Sequence, residues 1–194
     1  MRIGVFGGTF DPPHLGHLIV AQDAWAHLGL DRVVFVPAAV PPHKRHRVTT
    51  PAEVRLEMLR AAIGDDERFE VSEIELTRPG PSYTVDTLRE LRERDREGAL
   101  FFLLGADQFR MFHTWRGPDE IASLATLVAL SREGDEEFSG GIDVPFRTLR
   151  VTRIDISSTE IRRRVRAGEP IRYLVPAAVE AVIRREGLYR ATGQ

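Results

Sequence analysis

A continuous apolar run, Ile3 to Phe6, ends on the pair Gly7-Gly8, and a second such run, Val33 to Val36, follows about one helix length later. Apolar runs without polar alternation, bounded by glycine, mark strands buried on both faces. Between them Leu18, Ala21, Trp25 and Leu28 recur at steps of three and four, and Gly29 stands where a helix would stop. The three segments read as a βαβ unit, which dictates parallel strands and a right-handed crossover.

The rest of the chain continues the alternation. Thr50, Pro51 and Glu53 predict a capping box with proline at the first helical position, and Leu56, Leu59 and Ile63 give an apolar stripe before Gly64. Phe69 to Leu76 alternates in part and reads as a strand, Thr84 to Arg94 as a helix carrying Val85, Leu88 and Leu91, and Leu100 to Leu104 as a buried strand. A short helix around Asp119 to Ser123 leads into a strand over Leu124 to Leu130. Arg132 to Asp143 is polar and acidic and reads as an exposed loop, and Phe146 to Val151 as a last strand. Ser157 and Glu160 predict a second capping box, with Ile161 and Val165 on one face and Gly168 beyond the end. Pro176 opens a closing helix bearing Val179, Val182 and Ile183 that stops near Gly187. Nothing resembling a linker divides the chain. Residues 1–194 are therefore expected to form a single α/β domain, a Rossmann-like doubly wound parallel sheet with C-terminal helices.

Composition narrows the function classes. A chain of 194 residues buries about 70% of its unfolded surface, enough for a sizeable core without covalent staples. There is no cysteine, which excludes a thiol nucleophile, a disulfide scaffold and a Cys-ligated metal. With 27 Lys plus Arg against 29 Asp plus Glu the formal net charge is -2, so bulk nucleic-acid binding is disfavoured. The apolar stretches Ala99 to Leu104 and Leu124 to Leu130 fall far short of the roughly 20 residues a membrane span needs, and no targeting segment stands at the start. No membrane partner and a cytoplasmic location are expected.

The densest chemistry lies just after the first strand, in Gly7, Gly8, Thr9, Phe10, Asp11, Pro12, Pro13, His14, Leu15, Gly16 and His17. In an open parallel sheet ligands bind beyond the carboxyl ends of the strands, and this loop leads from such an end into a helix. Gly7 and Gly8 permit close approach of backbone to ligand, and a helix starting near His14 offers amides and a partial positive charge to an anion. His14 and His17 are three apart, so both can face one phosphate. A metal site from Asp11, His14 and His17 ranks below phosphate binding, because no further zinc-like spacing accompanies it. The segment matches neither GxGxxG nor the P-loop GxxxxGK[ST].

GGTFDPPHLGH resembles the signature of the HxGH nucleotidyltransferase superfamily. Ile156 to Arg162 is similar to the ISSTxIR motif of the same superfamily, about 140 residues further on. Ser157 as N-cap leaves the amides of Ser158 and Thr159 at a helix start, and Arg162 adds a forked cation. Arg163, Arg164 and Arg166 read as a solvated face. Pro41-Pro42-His43-Lys44, Ser82 to Leu88, Leu104 to Asp107 with Phe112 and Trp115, and Tyr173 to Pro176 before Gly187-Leu188-Tyr189 resemble the bacterial nicotinate-nucleotide adenylyltransferases. The likeness runs from Ile3 to Tyr189. Its departures are the double proline before His14 and the acidic stretch Glu133 to Glu137.

The resemblance implies transfer of an adenylyl group from ATP to nicotinate mononucleotide, with Mg²⁺ on the triphosphate. It implies catalytic roles for His14, His17, Lys44 and Arg162, and ATP contacts for Gly7, Gly8, Thr9, Phe10, Gly105, Asp107, Ser157, Ser158 and Thr159. Thr84, Trp115 and Arg116 are expected at the mononucleotide, Thr84 with its nearby amides at a carboxylate and Trp115 against a pyridine ring. A core tryptophan competes with that reading of Trp115, and an ordinary helix cap with that of Thr84. Rivals are a phosphopantetheine or CTP-dependent transferase of the superfamily, a silent adenine-nucleotide sensor, and RNA-linked chemistry. Homo-oligomer formation is left open by the sequence.

Overall fold

Gly29 ends the first helix in the left-handed conformation, φ 58°, and its amide donates to the Trp25 carbonyl. The βαβ unit it closes consists of β1 (Arg2–Gly8), α1 (Leu15–Leu28) and β2 (Arg32–Pro37). The structure, a computed structural model, describes residues 1–39, 50–131 and 144–191. Four further strands follow: β3 (Phe69–Val71), β4 (Ala99–Gly105), β5 (Thr126–Ser131) and β6 (Phe146–Arg150). The sheet runs β3-β2-β1-β4-β5-β6 with every neighbouring pair parallel. That order reverses between β1 and β4, which is the switch point of a doubly wound fold.

Burial on both faces explains the unbroken apolar runs. Val33 and Phe35 point to one side, where they pack with Val20, Ala21 and Ala24 of α1 and Leu59 of α2 (Ala52–Ile63). Val34 and Val36 point to the other, against Ile74 of α3 (Ile74–Thr77), Val85 and Leu88 of α4 (Thr84–Arg94), Phe109 of α5 (Ala106–Arg110) and Ile121 of α6 (Pro118–Leu124). A third apolar cluster joins Met58 of α2 to Ile161 of α7 (Ser158–Arg166) and to Val179, Val182 and Ile183 of α8 (Ala177–Arg185). Through it the closing helices are fastened to the side of the molecule that carries α2.

Three local expectations are corrected. The segment Phe69 to Leu76 is not one strand: the ladder ends as the Ser72 amide donates to the Phe35 carbonyl, and α3 begins with the Ser72 hydroxyl accepting from the Ile74 amide. The box at Thr50 does not form, because Pro51 is the N-cap of α2 and the Thr50 hydroxyl donates to the Tyr189 hydroxyl at 3.2 Å. Only half of the second box exists. Ser157 Oγ accepts from the Glu160 amide at 3.2 Å, while the Glu160 carboxylate turns to Arg163 and Arg164, which hold its pKa down at about 2. The expected acidic loop, Arg132 to Asp143, lies outside the described residues.

Candidate active site

Several of the residues that the sequence singled out lie at the switch point. Gly7 and Gly8 end β1, and Gly105 ends β4, its neighbour in the sheet. The loop after β1 is tight: a Cβ on Gly8 would stand 2.8 Å from the Phe10 ring, and Phe10 has φ 50° with its side chain in the core. Phe10 can therefore offer a ligand its backbone but not its ring. The Asp11-Pro12 peptide is cis.

His14 is the N-cap residue of α1, and its ring stacks on that of His17, centroids 3.7 Å apart and planes 27° apart. The His14 amide donates to His17 Nδ1 at 3.1 Å. With Nδ1 accepting, the ring proton of His17 sits on Nε2, a tautomer fixed by the backbone. Phe10 supports the His17 ring edge-on at 5.0 Å between centroids. Gly16 is needed for the stack, since a Cβ there would come within 3.0 Å of His14 Nδ1. The helix start is less free than expected: the Leu15 amide donates to the Leu174 carbonyl and the His17 amide to the His14 carbonyl. Its attraction for an anion thus rests on the helix dipole and the imidazoles more than on open amides.

The second motif binds the first. Ser158 Oγ donates to the Pro12 carbonyl at 2.9 Å, and Arg162 Nη1 to the Asp11 carbonyl at 2.7 Å, across 146 and 151 residues of chain. Arg162 Nη2 reaches Thr159 Oγ1 at 3.3 Å. Ser157, the N-cap, and Thr159 are exposed beside them.

Two residues outside the expected set complete the loop. Arg55, only 1% exposed, donates to the carbonyls of Thr9 at 2.8 Å, Ala38 at 2.8 Å and Thr50 at 3.2 Å. Burial pulls its pKa down, with Asp11 the largest opposing influence. Tyr189 donates to Asp11 Oδ1 at 2.6 Å, and burial followed by the Asp11 charge drives its pKa far up. The signal for Arg55 was present in the sequence, as an arginine at helical spacing from Met58 and Leu59 on the buried face of α2. For Tyr189 the only signal was family resemblance.

On the other side of the sheet, Thr84 is the first residue of α4 rather than its cap, and Tyr83 precedes it as N-cap without a side-chain bond. The Arg116 guanidinium lies 4.7 Å over the Tyr83 ring. Trp115 is half-buried, its ring 6.0 Å from Phe102 and 5.8 Å from Phe112, so one part of the indole belongs to the core. Tyr83, next to Thr84, and Arg116, next to Trp115, are therefore in contact. Asp107 stands at the start of α5 with its side chain 95% exposed, paired with Arg110. Lys44 lies outside the described residues. Among the described residues no three His, Asp or Glu side chains converge as a metal site, and no helix is long and apolar enough to cross a membrane.

The cytidylyltransferase-like family matches residues 5–164 of this chain. A relative from Thermus thermophilus, named probable nicotinate-nucleotide adenylyltransferase, is 53% identical over 192 residues, 98% of this chain and 100% of the relative. The chain belongs to the nicotinate-nucleotide adenylyltransferase family. Another member of the family, from Shouchella clausii, is 48% identical over 97% of this chain and 96% of its own length. The fold agrees with that of a Plasmodium falciparum nicotinic acid mononucleotide adenylyltransferase complexed with NaAD. That likeness has a TM-score of 0.77 at 18% identity and covers 97% of each chain.

Proposed function

We propose that the chain, acting as one nucleotidyltransferase domain in the cytoplasm, transfers AMP from ATP to nicotinate mononucleotide. The products are nicotinate adenine dinucleotide and pyrophosphate, a step in NAD biosynthesis. One observation carries the site assignment: the β1–α1 loop and the start of α7, far apart in sequence, are hydrogen-bonded to each other at the switch point. Two segments built to face phosphate thereby form one surface.

The reaction is read as direct. A phosphate oxygen of the mononucleotide attacks the α-phosphorus of ATP, the bond to the bridging oxygen breaks, and pyrophosphate leaves. An anionic phosphate needs no strong base, so positioning and charge stabilisation supply the rate. His17 Nε2–H and His14 donate to the triphosphate oxygens. Arg162, with two of its donors spent on Asp11 and Thr159, keeps others for phosphate. Lys44 adds a point cation. Gly7, Gly8, Thr9 and Phe10 contribute backbone, Gly105 and Asp107 the facing strand end, and Ser157, Ser158 and Thr159 the amides of α7. Mg²⁺ fits as a companion of the nucleotide, since the Asp11 carboxylate is buried against Tyr189; held through triphosphate oxygens, it would offset their charge. Thr84 with Trp115 and Arg116 forms the acceptor end, consistent with a flat ring bearing a carboxylate.

The test mixes protein, ATP and Mg²⁺ with nicotinate or nicotinamide mononucleotide and measures pyrophosphate release and product mass. Product is expected mainly from the nicotinate form. No product from either acceptor would remove the assignment, and equal use of both would remove the carboxylate selectivity given to Thr84.

A further inference from the structure

A buried carboxylate behind the acceptor end has no part in the chemistry above. Glu75, on α3, is 8% exposed and accepts from Thr87 Oγ1 at 2.7 Å and from the Ser82 hydroxyl. Arg78 Nη2 donates to Thr87 Oγ1 at 3.0 Å from the far side. Burial raises the Glu75 pKa, with Thr87, Ser82 and Arg78 each working against that rise. A carboxylate retained in such a place at a desolvation cost calls for an explanation in geometry.

The chain of bonds continues past it. Ser82 Oγ accepts from the Ala39 amide at 3.0 Å. The preceding residue, Ala38, donates its amide to the Gly8 carbonyl at 2.9 Å and receives Arg55 on its own carbonyl. The dipeptide Ala38-Ala39 is thus gripped by the phosphate loop on one side and by the Ser82 turn on the other. Two buried ionisable groups, Arg55 and Glu75, stand at the ends of this bridge.

We infer that Glu75 is a positioning residue for the mononucleotide: by holding Ser82 and Thr87 it fixes the Ser82–Thr84 turn against Ala39, and so sets the distance between acceptor and phosphate loop. The inference rests on the transferase reading above and deepens it. Glu75 reaches no substrate itself.

Wild type, Glu75→Ala, Glu75→Gln and Ser82→Ala are compared as full chains in steady-state kinetics, with nicotinate mononucleotide and ATP varied separately. Glu75→Ala is expected to raise KM for the mononucleotide about tenfold and to leave KM for ATP within about twofold. Glu75→Gln restores most of the loss, because its amide oxygen still accepts from Thr87. Ser82→Ala shows the same split at smaller size. Equal rises in both KM values, a fall in kcat alone, or unchanged constants would overturn the inference. If Glu75→Ala does not fold, Ser82→Ala decides, and a wild-type KM for the mononucleotide in that variant counts against it. A wild-type protein without activity on the mononucleotide sinks the functional reading as well, whereas an active wild type with unmoved variants sinks the positioning role alone.

Discussion

The loop from Gly8 to His17 and the turn from Ser82 to Thr84 are held by different means. The loop is tied by side chains from distant parts of the chain: Arg55 on Thr9, Arg162 on Asp11, Ser158 on Pro12 and Tyr189 on the Asp11 carboxylate. The turn is held mostly by neighbours, Glu75, Arg78 and Thr87, with Arg116 laid over Tyr83 at the surface. The loop is therefore fixed by the tertiary fold, and the turn by a local network joined to it through Ala39. Preorganised donors lose little on reaching the transition state, which suits the loop that carries the histidines.

Substitution of Arg55 is the hardest blow to that contrast. Arg55→Ala leaves the carbonyls of Thr9, Ala38 and Thr50 without this donor and should cost roughly 4 kcal/mol of stability, read from urea denaturation. A loss under about 1 kcal/mol would mean that the loop supports itself and that its distant ties are ornamental. Next in size, His17→Ala should lower kcat by about a hundredfold while leaving the fold intact; an unchanged kcat in a folded variant would reduce the stacked pair to a structural element. Tyr189→Phe removes one charge-assisted hydrogen bond to Asp11, worth about 1.5 kcal/mol, and should loosen the loop without touching the turn. Its signature is a raised KM for ATP at constant KM for the mononucleotide, the mirror image of the Glu75 variants.

The smallest effect is a pH dependence of stability. Burial holds the folded-state pKa of Glu75 above its ordinary value. The folded protein binds that proton more tightly than the unfolded chain, a contribution fully present below the unfolded pKa and lost as pH rises through the folded one. Glu75→Gln has no such titration, so it should gain on wild type as pH rises above the ordinary glutamate range, checked by urea midpoints at increasing pH. A pH-independent difference would show that the carboxyl is not desolvated.

How much of this was legible beforehand follows the range of the forces involved. Local rules suffice for the first βαβ unit, for the extent of α4 and for the Ser157 cap, because apolar spacing and cap residues act within a turn or two. Thr50 shows where they stop: its hydroxyl was expected to cap the next helix and instead meets Tyr189, 139 residues away. Ile74 and Leu76 continued an alternating pattern, yet Ser72 ends the strand and Ile74 is buried from a short helix instead. At the site, the motifs pointed to residues but not to what holds them. Phe10 proved a core ring, the Ser158 hydroxyl joins the neighbouring loop, and Arg162 binds that loop with the guanidinium that the motif alone would assign wholly to ligand.

The tie between Tyr189 and Asp11 spans 178 positions. A chain under synthesis therefore carries its histidine pair into the cell long before the tyrosine that tethers the neighbouring aspartate has been made. The loop beside that pair would then gain the last of its ties late, on docking of the segment after α8.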